Sequence, residues 1–203
     1  MKILLCADLE GDFSRLFQLA ENMDSETICI CCGDIFDYHH PPEKHFKFPL
    51  RFFSVRGNKE LWGGEKLQQT LKRVPNFFWL NEHLDLIFGL TGLRFFGIDH
   101  MHEPTSIPET TDVLISHRPA FGLADKCKNP RSTEMFNHCG SKAVRSIVDT
   151  FNPRLFVAGH IHYFQTQETH KTLAITLPPS LSTPIVMIEE RTITIDDQKH
   201  FSL

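Results

Sequence analysis

The chain predicts an α/β fold built on two β-sheets within one domain, residues 1–203. Three observations predict it. Short apolar runs alternate with loops and a helical pattern in the first third of the chain, the signature of parallel βαβ winding. Polar residues with chemical potential, Asp8, Asp34 and Asn58, fall at the ends of three successive runs, where parallel sheets hold their ligands. From residue 163 to 196 the pattern changes to four strands joined by turns, with a Pro-Pro-Ser break at 178–180.

Each element has its own local reason. Residues 2–7 (K-I-L-L-C-A) form a short buried strand that opens into a loop at Asp8. Over 13–23, Phe13, Leu16, Phe17 and Ala20 recur at helical spacing, and Asp12 stands where a cap belongs. Residues 27–32 (T-I-C-I-C-C) are a second buried strand ending at Gly33-Asp34. A His/Pro-rich loop runs to Pro49, and a strand at 50–55 ends at Arg56-Gly57-Asn58. Strands at 77–80, 84–88 and 94–98 follow, separated by turns at Asn81-Glu82 and Thr91-Gly92. A strand at 112–116 delivers His117, and one at 154–158 delivers Gly159-His160. Between them, a helix over 141–151 gathers Ala143, Val144, Ile147, Val148 and Phe151 on one face.

Composition narrows the function. A chain of 203 residues suffices for one substantial core. The 18 phenylalanines against 2 tyrosines and 2 tryptophans indicate dry packing rather than an aromatic recognition surface. A net charge of -4 argues against a nucleic-acid backbone binder, while a small or nucleotide-like phosphate ester stays admissible. No apolar run approaches the roughly 20 residues that span a bilayer. The start, M-K-I-L-L-C-A-D, is unlike a signal peptide. The expectation is therefore cytoplasmic, with the six cysteines as structural thiols outside any zinc-finger spacing.

The polar clusters share one chemistry. Carboxylates suit hard divalent ions, imidazoles suit borderline transition metals, and a carboxylate between two cations bridges them. Asp8, Asp34, Asn58, His117, His160 and His162 supply such a mixed set, with glycines at 33, 57 and 159 permitting close backbone approach. A lone Asp at a strand end is usually a turn or cap, but five loop-borne clusters at strand ends have no common structural purpose. Arg56 and Arg118 are weak candidates for phosphate contacts. His39, His40, His45, His100 and His102 read as surface or loop residues.

The ordered set Asp8-Leu9-Glu10, Gly33-Asp34-Ile35-Phe36-Asp37, Gly57-Asn58-Lys59-Glu60, Ser116-His117 and Gly159-His160-Ile161-His162 resembles the calcineurin-like metallophosphoesterase superfamily. The stretch S-H-R-P-A-F-G-L-A-D at 116–125, followed by G-S-K-A-V-R-S-I-V at 140–148, is similar to its small members. The resemblance implies a four-layer αββα sandwich of two mixed sheets with flanking helices. It also implies a metal-dependent phosphodiesterase or phosphomonoesterase that uses a metal-bridging hydroxide. Asp8, Asp34 and His162 would hold the first of two divalent cations; Asp34, Asn58, His117 and His160 would hold the second. Manganese is the expected ion, with iron, magnesium, zinc or nickel as alternatives.

Two positions depart from the family pattern. Glu10 replaces a histidine and would ligate the first cation as a harder oxygen donor. Lys59 replaces the histidine assigned to the phosphoryl group or leaving group; it would supply positive charge to the transition state. As a proton donor it would be poor, with a reference pKa of about 10.4. The charges of the two also suggest a direct Glu10–Lys59 pair that disfavours the first cation. The alternative expectation is thus an impaired relative serving as a protein-interaction scaffold.

Overall fold

The computed structural model describes residues 1–100, 107, 108, 110–127, 137–182, 184–195 and 199–203, for 199–202 the backbone alone. Along the chain, β1 (Lys2–Cys6) leads through α1 (Ser14–Ala20) to β2 (Ile28–Cys31) and β3 (Arg51–Ser54). Two short helices, α2 (Asn58–Trp62) and α3 (Gly64–Lys72), precede β4 (Phe77–Trp79). Next come α4 (Leu84–Thr91), β5 (Phe95–Ile98), β6 (Val113–Ser116) and a small ribbon of β7 (Lys126–Cys127) and β8 (Asn137–His138). The chain continues with α5 (Lys142–Phe151), β9 (Leu155–Ala158), β10 (Gln165–Glu168) and β11 (Leu173–Thr176). It closes with β12 (Val186–Glu189), β13 (Thr192–Ile195) and β14 (Lys199–Ser202).

The strands form two mixed sheets. The larger runs β14-β13-β12-β1-β2-β3-β4, with β1 to β4 parallel and β12 antiparallel to β1. The smaller runs β10-β11-β9-β6-β5, parallel except for the edge strand β10. Alternation along each strand decides which side chains meet. Ile3, Leu5, Ile28, Ile30 and Phe53 of the larger sheet pack with Val113, Ile115, Leu155, Val157 and Ile175 of the smaller one. On the outer face of the larger sheet, Leu4, Cys29, Cys31 and Phe52 meet Leu16 of α1 and Leu67 and Leu71 of α3. On the outer face of the smaller, Leu114, Phe156 and Ala174 meet Val144, Ile147 and Val148 of α5. The layers are therefore helix, sheet, sheet, helix, as expected.

The phenylalanines fill the outer layer of the larger sheet. Phe48 stacks on Phe52 at 4.0 Å, and Phe13, Phe36 and Phe46 meet one another at 4.8 to 5.3 Å. Burying each such side chain contributes about 1.5–3 kcal/mol. The helix α5 starts where Ser141 Oγ accepts from Val144 N, and stops at Asn152 in the left-handed region.

Three expectations need correction. The run 84–88 is the helix α4, not a strand: Leu84, Ile87 and Leu90 face the inter-sheet core, and Gly92 ends the helix at φ 65°. Asp12 makes a local turn, accepting from Ser14 N, and is not the cap of α1. Cys127 and Cys139 are not free thiols: the β7–β8 ribbon brings their Cα atoms to 6.0 Å and they are joined as a disulfide, while Cys6, Cys29, Cys31 and Cys32 are free and buried. Among the described residues, no helix is long and apolar enough to cross a membrane.

Candidate metal centre

The polar residues gather where the parallel strands of both sheets end. Asp8 and Glu10 lie just past β1, Asp34 past β2, Asn58 and Lys59 open α2 after β3, His117 follows β6, and His160 and His162 follow β9. The loops are pinned to one another through their backbones: Asp8 N donates to Gly33 O at 3.0 Å, Glu10 N to Asp34 O at 2.9 Å, and Gly159 N to His117 O at 3.1 Å. Asp8, Glu10, Asp34, His160 and His162 all have positive φ, between 49° and 72°. Such conformations are costly for side-chain-bearing residues and persist only where the surroundings enforce them.

Glu60 is the internal brace. Buried in full, it accepts from Gly57 N at 2.8 Å, Asp34 N at 2.9 Å and Ile35 N at 2.7 Å. The first of these closes the start of α2, as Glu at that position does in a capping box. Burial, reinforced by the Asp34 carboxylate, pushes Glu60 up to about 7. Gly57 lets the segment approach: a Cβ there would press against Asp34 Oδ1 and lie 2.9 Å from Asp34 Cγ.

Ligand-type atoms from several loops converge around His117. His117, fully buried, donates from Nδ1 to Cys32 O at 2.8 Å, which in the neutral ring leaves a lone pair on Nε2. That atom faces Asn58 Oδ1 at 2.8 Å, His160 Nδ1 at 3.1 Å and Asp34 Oδ2 at 3.6 Å. His160 Nδ1 donates to Nε2 when that neutral ring carries its proton there, while Asn58 Oδ1 and Nε2 face each other as acceptors, and a cation in the same place would engage all of these atoms. Donors about 2.1 Å from one ion are roughly 3.0–3.4 Å apart, so the set fits a divalent metal. Asp8, Asp34 and His117 likewise offer ligand atoms within 4.8 Å of one another.

On the other side, Asp8 Oδ2 accepts from His160 N at 2.8 Å, while Asp8 Oδ1 is buried without a hydrogen-bond partner. His162 Nε2 lies 3.7 Å from that orphan oxygen and 3.8 Å from Glu10 Oε1. These atoms could hold a cation of their own. The same Glu10 Oε1, however, pairs with Lys59 Nζ at 2.9 Å, so the two residues that depart from the family pattern contact each other directly. Burial pulls Lys59 down, but the Glu10 carboxylate more than offsets it and holds the ammonium above its ordinary value. Burial pushes the Asp34 carboxyl up. The nearby Asp8 carboxylate raises His162, whereas burial, aided by His117, brings His160 down to about 4.

The remaining candidates separate. Arg56 is committed elsewhere, paired with Asp99 at 2.8 Å and Glu82 at 3.0 Å and lying over the Trp79 ring at 4.4 Å. Arg118 is close enough for its charge to act on His100 and His160. His39, His40 and His45 are exposed, and His102 lies outside the described residues. His100 is the residue sequence reasoning missed. It lies in the loop after β5, as read, but half-buried, its ring 5.3 Å from that of His117 and 5.4 Å from that of His160. The register accounts for the placement, with β5 parallel to β6 and Ile98 opposite Ser116, so the residues just past β5 lie beside His117.

The family model for calcineurin-like phosphoesterase matches residues 1–164, a span that includes every candidate ligand. Similar solved structures include GAP50, the anchor in the inner membrane complex of Plasmodium, with a TM-score of 0.61 and 11% identity over 100% of this chain and 88% of that one. A dimetal phosphatase from Danio rerio superposes with a TM-score of 0.57 and 14% identity, over 100% and 96% of the two chains. A protein of Thermus thermophilus, TT1561, gives 0.54 and 12%, over 96% and 97%. At these identities the three bear on the fold alone. No curated protein matches the sequence.

Proposed function

Because the chain belongs to the calcineurin-like phosphoesterase family, we propose that it is a metal-dependent hydrolase of a small phosphate ester or nucleotide-like substrate. The observation that carries this is the convergence of metal-ligand atoms: Asp8 Oδ1, without a hydrogen-bond partner, on one side, and Asn58 Oδ1, His117 Nε2 and His160 Nδ1, in contact with one another, on the other. Asp8, Glu10, Asp34 and His162 would hold the first cation, and Asp34, Asn58, His117 and His160 the second, with manganese preferred for the oxygen-rich first position. Bound cations supply Lewis-acid polarisation of the phosphoryl group and acidify a water nucleophile.

The chain's own residues do the rest. Asp34 positions both halves of the site, since its Oδ1 accepts from Lys59 N at 2.9 Å while Oδ2 faces His117. The Lys59 ammonium neutralises charge on the phosphoryl oxygens. Held above its ordinary value by Glu10, it gives up its proton poorly, so the leaving group departs largely unassisted. That favours esters of acidic leaving groups.

The Glu10–Lys59 pair supports a second reading, in which the ammonium weakens the first cation's site and the chain acts as an interaction scaffold. GAP50, with a similar fold, is described as an anchor. One experiment divides the two. After chelation and reconstitution with manganese, about two ions per chain and hydrolysis of bis(p-nitrophenyl) phosphate support the enzyme. One ion or none, with no turnover, sinks it.

A further inference from the structure

We infer that His100 is an additional ligand of the second cation, giving that site three imidazoles beside Asp34 and Asn58 and selecting a borderline ion such as zinc or cobalt there. The inference rests on the metal-centre reading above and extends it to a residue outside the family motifs. One ring nitrogen from each of His100, His117 and His160 lies within 4.8 Å of the other two. His100 Nδ1 is buried and has no hydrogen-bond partner, so part of the ring's polarity is unspent.

The ring is also held in place. His100 N donates to Arg56 O at 2.7 Å. Arg56 is itself fixed by Asp99, whose Oδ1 accepts from Arg56 N at 2.7 Å and whose Oδ2 accepts from Nη1 at 2.8 Å. A histidine kept only for packing among apolar neighbours would not need two other imidazoles as its ring contacts. The His160 Nδ1 to His117 Nε2 contact at 3.1 Å joins two of the rings and leaves His100 Nδ1 without a partner; a divalent ion would engage all three.

Counting donors sharpens the chemistry. Asp34, Asn58, His117 and His160 supply two oxygens and two nitrogens, a set open to magnesium or manganese. Adding His100 makes nitrogen the majority donor, and imidazole suits zinc, copper, iron and nickel better than the oxygen-preferring ions. The two positions of the centre would then differ in kind, an oxygen-rich first site and a nitrogen-rich second one.

The test titrates zinc into protein carrying ¹⁵N-labelled histidine and follows the ring nitrogens by NMR. The expected result is that His100, His117 and His160 shift together on one equivalent of zinc. In His100→Ala and His100→Phe, the latter keeping a ring in the contact, zinc at this site should bind at least about tenfold more weakly, the lower bound for loss even of an outer partner. The cobalt-loaded variants should also show a changed visible spectrum. Shifts of His117 and His160 without His100 would overturn the inference while leaving the metal-centre reading standing. If no histidine shifts, both fall. The wild-type titration decides the matter even if neither variant folds.

Discussion

Replacing Lys59 by methionine keeps the aliphatic stem and removes the charge, so it separates the two roles the ammonium can play. Lys59 Nζ lies 2.9 Å from Glu10 Oε1, with the side chains 17% and 37% exposed. Two unit charges about 4 Å apart interact by about 1 kcal/mol in water and about 4 kcal/mol at an effective dielectric of 20. Solvent access to Glu10 keeps this pair in the lower part of that range, about 1–2 kcal/mol. Freed from its partner, Glu10 Oε1 becomes fully available to a cation shared with Asp8 Oδ1 and His162 Nε2. At 1.4 kcal/mol per decade, the first cation should bind about 5–30-fold more tightly in Lys59→Met. Turnover of bis(p-nitrophenyl) phosphate at saturating manganese should nevertheless fall on the order of a hundredfold, the scale on which one charge-stabilising group acts. Isothermal titration gives the affinity and the p-nitrophenolate release gives the rate. Unchanged or weaker manganese binding refutes the competition argument; undiminished turnover refutes the catalytic role of Lys59.

Three further outcomes are expected. Gly57→Ala forces a methyl against Asp34 Oδ1, and should cost about 1–3 kcal/mol in a urea titration with loss of metal stoichiometry; wild-type metal content would contradict the geometry. With Lys59 a poor proton donor, rates across a series of aryl phosphate esters should decline steeply as the leaving-group pKa rises, and a flat series would reveal a general acid other than Lys59. Lowering the pH from 7.5 to 5.5 should weaken the two cations unequally. His162 is raised by the Asp8 carboxylate, so of the two it takes up a proton at the higher pH and the first cation meets that competition first. His160, brought down to about 4, is already proton-free at pH 5.5. The second site should therefore keep its affinity better, and equal losses at both sites would count against the assignment.

Much of this was legible in the residues. Asp8, Asp34, His117 and His160 could be assembled because each follows a short buried strand, and parallel strands place their ends together. Glu10 and Lys59 could be suspected of pairing from their opposite charges, but only the α2 start and the loop after β1 put Nζ and Oε1 in contact. What was illegible has physical causes. Leu84 to Phe88 is a five-residue apolar run, short enough to serve either period, and the choice was made by the inter-sheet core and by Gly92 closing the helix. The pair α2 and α3 is short, and its large apolar residues, Leu61, Trp62, Leu67 and Leu71, make no extended stripe. His100 follows β5 as a lone histidine in a loop, and only the register of β5 on β6 makes it a neighbour of His117.

The origin of the donors carries a mechanical consequence. Asp8, Asp34 and Asn58 ride on the larger sheet and His117 and His160 on the smaller, so an ion between them is a clasp across the mouth of the sandwich. Coordination tolerates displacements of about 0.5 Å, far less than a poorly filled interior allows. Ile30, Phe53, Ile115 and Val157, with no polar atom beyond the backbone, are thereby gauges of the clasp: the thickness they set between the sheets is the span the ion must bridge. Repacking that interior should change which ionic radius the mouth accepts before it changes whether the chain folds.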